Sequence, residues 1–419
     1  MNLKAKHAQT LQVSMSGEVV GTLAQSERGQ IWFEYDPTWI KSGFAVSPMA
    51  SFELKSGAFK ATNNNFDGLH GVFNDALPDG WGLLLMDRAL KNKFGWDVHE
   101  ITPLDRLAYI GNRAMGALEF KPTTETSAFA STPPIADLYE DALLVQEGRA
   151  DEVMRALSIL GGSPGGARPK ITLALDSQGS DFVMSGFENI PANFDHWIVK
   201  FRSQNTDPIC MGRIEMAYAE MAALAKVDIP PSRLICTKVR GIEESFFAIK
   251  RFDRNKNKKL HVVSLGGLLD ASHREPSLDY TQLLKAVHFV TRDVREVERA
   301  FRLMVFNVLA HNKDDHVKNF AFIYDGLDWK FSPAFDLTFS GGMNNQHTTA
   351  VAGQGNPNLA AIEKVAKSAG IKNWKLIADE VFLAVSHWGQ IAENHQVESQ
   401  LANAYFSAIQ TGPCYLELA

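Results

Sequence analysis

Apolar and polar residues alternate over roughly the first 60 positions, with turn residues between the runs, as in Gly17-Glu18-Val19-Val20-Gly21-Thr22 and Gln30-Ile31-Trp32-Phe33-Glu34-Tyr35. A period of two places successive side chains on opposite faces of a strand, so this stretch predicts short antiparallel strands. Helical spacing then takes over. In Phe73-Asn74-Asp75-Ala76-Leu77-Pro78-Asp79-Gly80-Trp81-Gly82, Pro78 ends one helix and Asp79 is placed to N-cap another that runs to about Lys93. Lys121 to Pro134, rich in Thr, Ser and Pro, lacks apolar periodicity and marks a boundary.

Helices are predicted near Asp137–Glu147 and Asp151–Leu160, strands at Lys170–Leu175 and His196–Phe201, and an apolar-faced helix containing Glu215 over Ile209–Lys226. The apolar runs Ser245–Arg251 and Leu260–Val263 flank a polar turn, Asp253–Lys259, and read as a hairpin. From about Tyr280 the pattern is mostly helical, with Val297, Phe301, Met304 and Val308 on one face. No internal repeat appears. A strand-rich part therefore precedes a helix-rich part, which predicts an α+β chain.

With 419 residues, 45% hydrophobic and 21% charged, the chain has the composition of a folded protein of two or three domains. Its net charge of −6 supplies no basic field for nucleic acid or an anionic membrane. Cys210, Cys236 and Cys414 show no ligand spacing and read as buried, reduced thiols. The first residues lack the apolar block of a signal peptide, and no run reaches the roughly 18 apolar residues a membrane span needs, so a cytoplasmic protein without membrane association is expected.

Candidate chemistry concentrates in His311-Asn312-Lys313-Asp314-Asp315-His316-Val317-Lys318-Asn319, a polar loop between an amphipathic helix and the apolar run Phe320–Tyr324. So many polar side chains in one loop are not expected to fill a core. Asp325-Gly326 then turns a hairpin whose return strand leads to Asp336 and carries it back toward Asn319. An Asp, an Asn five residues on and a second Asp after a hairpin suit phosphoryl transfer. One carboxylate accepts the attacking hydroxyl's proton, while the amide oxygen and the other carboxylate are hard ligands for Mg²⁺ on ATP phosphates. Lys318 can offset charge on the transferred group. The spacing favours Asp314 over Asp315 as the base; Asp315 is expected to point away, with little cost on replacement.

Upstream, Gly161-Gly162-Ser163-Pro164-Gly165-Gly166-Ala167-Arg168-Pro169-Lys170 holds four glycines in its first six positions, so its backbone can approach phosphates closely. Lys200 ends a strand and, with Glu215 on the next helix, can form a Lys–Glu pair that orients ATP phosphates.

These segments, with Ile110-Gly111-Asn112-Arg113-Ala114-Met115-Gly116 and Arg251-Phe252-Asp253-Arg254, resemble over nearly the whole chain the HipA-like serine/threonine kinases, toxins of bacterial HipA/HipB toxin–antitoxin modules. The resemblance implies a bilobal protein-kinase-like fold with a strand-rich N-terminal lobe and a helical C-terminal lobe. Residues 1–120 would be an antitoxin-facing N-terminal subdomain, 121–134 a linker, 135–255 the nucleotide-binding lobe and 256–419 the helical lobe. Asp314 would be the catalytic base assisted by Lys318, Asn319 and Asp336 the Mg²⁺ ligands, and His316 a loop organiser beside the nucleotide. Gly162, Ser163, Gly165, Gly166, Lys170 and Lys200 would line the ATP phosphates, and Lys250, Arg251 and Phe252 would pass the adenine edge as the hinge. Lys250 stands where relatives can carry an acidic side chain, so a side-chain contact there is not carried over. Ser163 matches the serine such kinases autophosphorylate, and its phosphate, held by Arg168, would eject the loop and inactivate the enzyme. Implied partners are a small helix-turn-helix antitoxin resembling HipB, DNA only through that antitoxin, and a protein substrate such as a translation enzyme.

Three other readings fit parts of the chain. A small-molecule kinase shares the Asp, Asn and distal Asp arrangement. An ATP-binding pseudokinase would serve as a corepressor scaffold, and a metal nuclease would use His311, Asn312, Asp314 and His316. The short basic run Lys256–Lys259 reads as a solvated turn.

Overall fold

The computed structural model describes residues 6–61, 65–125, 132–149, 155–161, 165–177, 183–187, 189–272 and 278–419. The alternation at the start folds into β1 (Thr10–Met15), β2 (Glu18–Gln25), β3 (Ile31–Tyr35) and β4 (Ala58–Lys60), and β5 (Glu119–Lys121) returns to pair with β1. The sheet is antiparallel, in the order β4-β3-β2-β1-β5. Leu11, Val13, Leu23, Phe33 and Tyr35 bury one face in the same apolar cluster as Met86, Leu90, Leu104 and Leu107 from the helices Gly80–Phe94 and Pro103–Ile110.

A second antiparallel sheet holds β6 (Lys170–Asp176), β7 (Val183–Ser185), β8 (Phe194–Lys200), β9 (Ser232–Val239) and β10 (Ile242–Lys250), in the order β7-β6-β8-β10-β9. Its own core includes Leu138, Leu160, Ile171, Trp197 and Phe246. Trp81 and Leu85 join that core while Met86 and Leu90 belong to the main one, so the helix Gly80–Phe94 is shared between two cores.

The helical part is built on Tyr280–Thr291 and Val294–Leu309. The predicted stripe holds: Val297, Phe301 and Met304 are buried and Val308 half-buried, with Asp293 capping the helix by accepting the Arg295 N–H at 2.9 Å. Burying side chains of this size is worth about 1.5–3 kcal/mol each.

The hairpin expected from Ser245–Arg251 and Leu260–Val263 does not form. The first run is β10 in the second sheet, whereas His261–Ser264 pairs with Ala321–Tyr324 in a separate three-stranded sheet completed by Trp329–Phe331. Between them Arg254–Asn255 and Lys258–Lys259 pair locally, and the chain crosses from one part to the other. The reason is the buried Asp253, bonded to Arg251 at 2.7 Å and to Arg254 and the Gly116 N–H at 2.8 and 2.7 Å. Burial alone would raise its pKa, but the two guanidiniums hold it far below the usual carboxylate range. The Arg251–Arg254 and Ile110–Gly116 motifs thus fasten onto each other.

Among the described residues no helix is long and apolar enough to cross a membrane. The three thiols are free, but only Cys414 is buried; Cys210 is half-buried and Cys236 exposed on β9, because that edge strand turns much of its length to solvent.

Candidate functional site

After Leu309 the chain leaves the helix and splits its polar residues between two environments. His311 stacks on Phe339 with ring centroids 4.8 Å apart, and the Asn312 amide donates to Asn307 at 2.9 Å. Lys313 donates to Asn345 and Asn356 at 2.8 and 3.0 Å. Asp315 accepts from Tyr280 O–H at 2.8 Å and the Thr349 N–H at 3.1 Å, and lies 2.9 Å from His347 Nδ1. All four are buried, so this half of the loop does fill a core, a polar one in which most of the groups are paired. Asp315 does point away, into partners that belong to the fold. His311 and Asn312 are turned from Asp314, which dismantles the nuclease quartet. Among the described residues no three His, Cys, Asp or Glu side chains gather to hold a metal by themselves.

The other half faces the cleft between the second sheet and the helical part. Asp314 is exposed, yet neighbouring protein desolvates its carboxyl enough to raise its pKa, with His316 opposing and Asp336 reinforcing the rise. His316 caps the single turn Val317–Asn319, its Nδ1 accepting the Lys318 N–H at 3.3 Å. Asn319 Nδ2 donates to the Asp314 carbonyl at 2.7 Å, which commits the amide nitrogen and leaves Oδ1 as the ligand end.

Asp336 arrives as the hairpin register dictates: Tyr324 pairs with Trp329, and the Ser332 N–H bonds back to Ala321 at 2.9 Å. It adopts φ +59°, a left-handed conformation that Asp tolerates better than most residues. Its Oδ1 lies 2.5 Å from Lys200 Nζ, and the same ammonium lies 2.8 Å from Glu215 Oε1. The Lys200–Glu215 pair read from sequence is therefore formed, and Asp336 makes it a triad.

Sheet register explains why the triad is needed. Lys170 and Lys200 sit directly opposite each other on β6 and β8, an arrangement that is repulsive by itself. Lys200, with Lys170 and Arg168 behind it, holds Asp336 far below the usual carboxylate range against the effect of burial. Burial works against the Lys200 charge, but Asp336 and Glu215 overcome it and hold the ammonium above its usual range. Lys170, buried, is pulled below its usual range by desolvation.

Of the glycine-rich segment, Gly162 and Ser163 lie outside the described residues. Lys170 Nζ donates to the Gly165 carbonyl at 2.5 Å, and Gly166 takes φ +98°. That φ is one L side chains rarely adopt, so glycine is favoured where the turn lies against the Lys170 ammonium. Arg168 is paired with Asp207 at 3.0 Å.

The hinge segment is tied by its backbone to the second sheet and to the residue before β9. The Lys250 and Arg251 amides donate to the Pro231 and His196 carbonyls at 2.9 and 2.8 Å. The Lys250 ammonium is 2.9 Å from Asp195, and the Arg251 side chain is fully buried against Asp253. Both backbone amides and the Lys250 ammonium are thus engaged within the fold, and Phe252, 5.4 Å from Phe335, is the apolar element beside Asp336. Sequence reasoning also missed Asp79, whose Oδ2 lies 3.0 Å from Lys318 Nζ.

The residues present fit Mg²⁺ and a nucleoside triphosphate. Asn319 and Asp336 are hard oxygen donors, Lys170, Lys200 and Arg168 are cations around Asp336, and Gly166 holds the turn beside Lys170 in a conformation that favours glycine.

The family model described as HipA-like C-terminal domain matches residues 162–395, and that of the HipA N-terminal domain matches residues 11–121. Y4dM of Sinorhizobium fredii, a protein carrying the name of a kinase, is 26% identical over 345 residues, spanning 78% of this chain and 76% of its own. Y4mE of the same organism, named likewise, is 23% identical over 349 residues with the same coverage, 78% and 76%. Among solved structures, a chain of the Shewanella oneidensis toxin–antitoxin complex of HipA, HipB and operator DNA aligns with a TM-score of 0.70 at 16% identity, covering 97% of this chain and 99% of that one. At that identity the likeness is one of fold, and it covers the whole molecule: N-terminal sheet, sheet-built lobe and helical lobe.

Proposed function

The chain belongs to the HipA-like family, and from that premise we propose that it is a Mg²⁺- and ATP-dependent protein serine/threonine kinase, the toxin of a toxin–antitoxin pair. The observation that carries the reading is the meeting in one cleft of Asp314, Asn319, Asp336 and the Lys200–Glu215 pair. Asp314, exposed and raised in pKa, takes the proton of the attacking hydroxyl. Lys200 holds the phosphates, Lys318 faces the transferred group, and the Asn319 and Asp336 oxygens hold the metal. Mg²⁺ when bound neutralises phosphate charge. Two oxygen ligands are few for Mg²⁺ without nucleotide, so its affinity is expected to rise sharply when ATP is present; tight Mg²⁺ binding by calorimetry without nucleotide would contradict this geometry.

A partner resembling HipB is supported by the Shewanella complex, and at a net charge of −6 the chain would reach DNA through a basic antitoxin. Autophosphorylation at Ser163 and a substrate such as a translation enzyme rest on the family resemblance. The test is transfer of labelled γ-phosphate from Mg-ATP with mass spectrometry of the products. Phosphate on protein Ser or Thr, on Ser163 among them, is expected with wild type and not with Asp314→Asn or EDTA. Binding of ATP without transfer to protein overturns the reading.

The raised pKa of Asp314 fixes the sign of the pH response. The base must be ionised, so kcat/KM should climb with pH through the Asp314 value, on a limb above the ordinary aspartate range of about 3.9. A limb at or below that range means that Asp314 is not the group titrating.

A further inference from the structure

The aspartate that opens the helix Gly80–Phe94 does not serve that helix. Asp79 occupies the N-cap position but makes no cap hydrogen bond with its side chain. Its Oδ1 instead accepts the Gly166 N–H, and its Oδ2 lies 3.0 Å from Lys318 Nζ. The Trp81 N–H donates to the Gly166 carbonyl at 3.1 Å, so both backbone polar groups of Gly166 are held by the N-terminal domain. The fit is close on both sides. A Cβ on Gly165 would stand 2.9 Å from Asp79 Oδ1, and one on Gly80, at φ +47°, would stand 2.8 Å from Ala167 Cα.

One turn upstream the same segment is fastened to the helical lobe. Half-buried Asp75 accepts the Ser264 N–H and O–H at 2.6 and 2.8 Å, and its pKa is pushed up to about 6 by desolvation. The Gly71 N–H donates to Asp270 at 2.8 Å. The short helix between those anchors, Leu265–Leu269, lies against the catalytic loop, where a Cβ on Gly266 would stand 3.2 Å from Val317 Cγ2.

We propose that Asp79 is a positioning residue supplied by the N-terminal domain, a single carboxylate that sets the phosphate loop and the catalytic lysine at a fixed separation across the cleft. Both contacts join an ion or a dipole to a carboxylate, the stronger class of hydrogen bond. A shift of the N-terminal domain therefore moves Gly166 and Lys318 together. Whatever binds that domain can act on the kinase site through this carboxylate without entering the cleft. The inference rests on the proposed kinase reading for its effect on nucleotide, but not for the contacts themselves.

Two variants and two readouts test it in the full-length chain. In nucleotide-free protein, hydrogen exchange over residues 165–169 should accelerate about tenfold or more in Asp79→Ala, and much less in Asp79→Asn, whose amide oxygen still accepts from Gly166. With Mg-ATP, both variants should bind nucleotide more weakly, Asp79→Ala by about tenfold or more. Because the Lys318 ion pair is broken in each, kcat should fall as well as KM rise, a split that general destabilisation does not produce. If Asp79→Ala fails to fold, Asp79→Asn carries the nucleotide and kcat arms alone. Unchanged exchange in a folded Asp79→Ala, or nucleotide binding as tight as or tighter than wild type, overturns the proposal. Wild-type protein that neither binds nor uses ATP overturns the kinase reading instead, while the exchange arm still decides whether Asp79 holds the loop.

Discussion

Asp314→Asn is expected to lower phosphoryl transfer by a factor of hundreds or more and to unfold at the same denaturant concentration as wild type, whereas Asp315→Asn is expected to destabilise the fold. Loss of a general base costs about 10²- to 10⁴-fold. Asp314 stands exposed at the cleft, and its backbone carbonyl, which survives the substitution, is what anchors Asn319. Asp315 is the opposite case. Its Oδ2 faces both Tyr280 O–H and His347 Nδ1, at 2.8 and 2.9 Å, and its Oδ1 accepts from Thr349. An amide has one acceptor oxygen and an NH₂ group that cannot accept, so at least one buried donor is left unpaired at a cost of about 1–3 kcal/mol. The readouts are transfer rate and urea midpoint for each variant. Equal loss of transfer in two equally stable variants would remove Asp314 from its assigned place.

That two adjacent aspartates differ so much is not visible in a sequence. Periodicity resolves faces of helices and strands, but His311–Asn319 is neither, and which carboxylate turns inward depends on Tyr280, His347 and Thr349, at least 32 residues away. The strands, the amphipathic helices and the return of Asp336 toward Asn319 were legible, because alternation, helical spacing and a two-residue turn are local rules. So was the Lys200–Glu215 pair, only 15 residues apart on consecutive elements. The surroundings of the Lys250 and Arg251 side chains were not legible: packing sets them against Asp195 and Asp253. Asp79 was hidden for a different reason. A good local explanation, the helix N-cap, already accounted for an Asp at that place, while its real partners lie 87 and 239 residues away. A satisfied local rule conceals a long-range role more effectively than a broken one.

Lys200→Met should destabilise the protein by about 3–5 kcal/mol and abolish measurable transfer, because it leaves Glu215, 3% exposed, without the ammonium it was buried with. Asp336 contributes less to that cost, being 32% exposed and screened, with Lys170 and Arg168 still near. The pH dependence has a definite sign. Asp336 is depressed by Lys200, so its share of the stability is present above the unfolded carboxylate value of about 3.9 and is lost as pH falls toward its folded value. Lys200 is raised, so its share is full below about 10.4 and is lost only as pH rises through its folded value. The gap between wild type and Lys200→Met should therefore be flat across neutrality and narrow at both extremes. Replacing both partners of a buried pair by apolar residues is often close to neutral. Lys200→Met with Glu215→Leu should thus recover most of the lost stability while transfer stays absent, since no other lysine stands where β8 places this one, opposite Lys170 and against Asp336. Denaturation midpoints and transfer rates for the single and double variants decide the point. A double variant as unstable as the single would show that the ion pair does not govern folding here, and recovered transfer would show that Lys200 does not hold the phosphates.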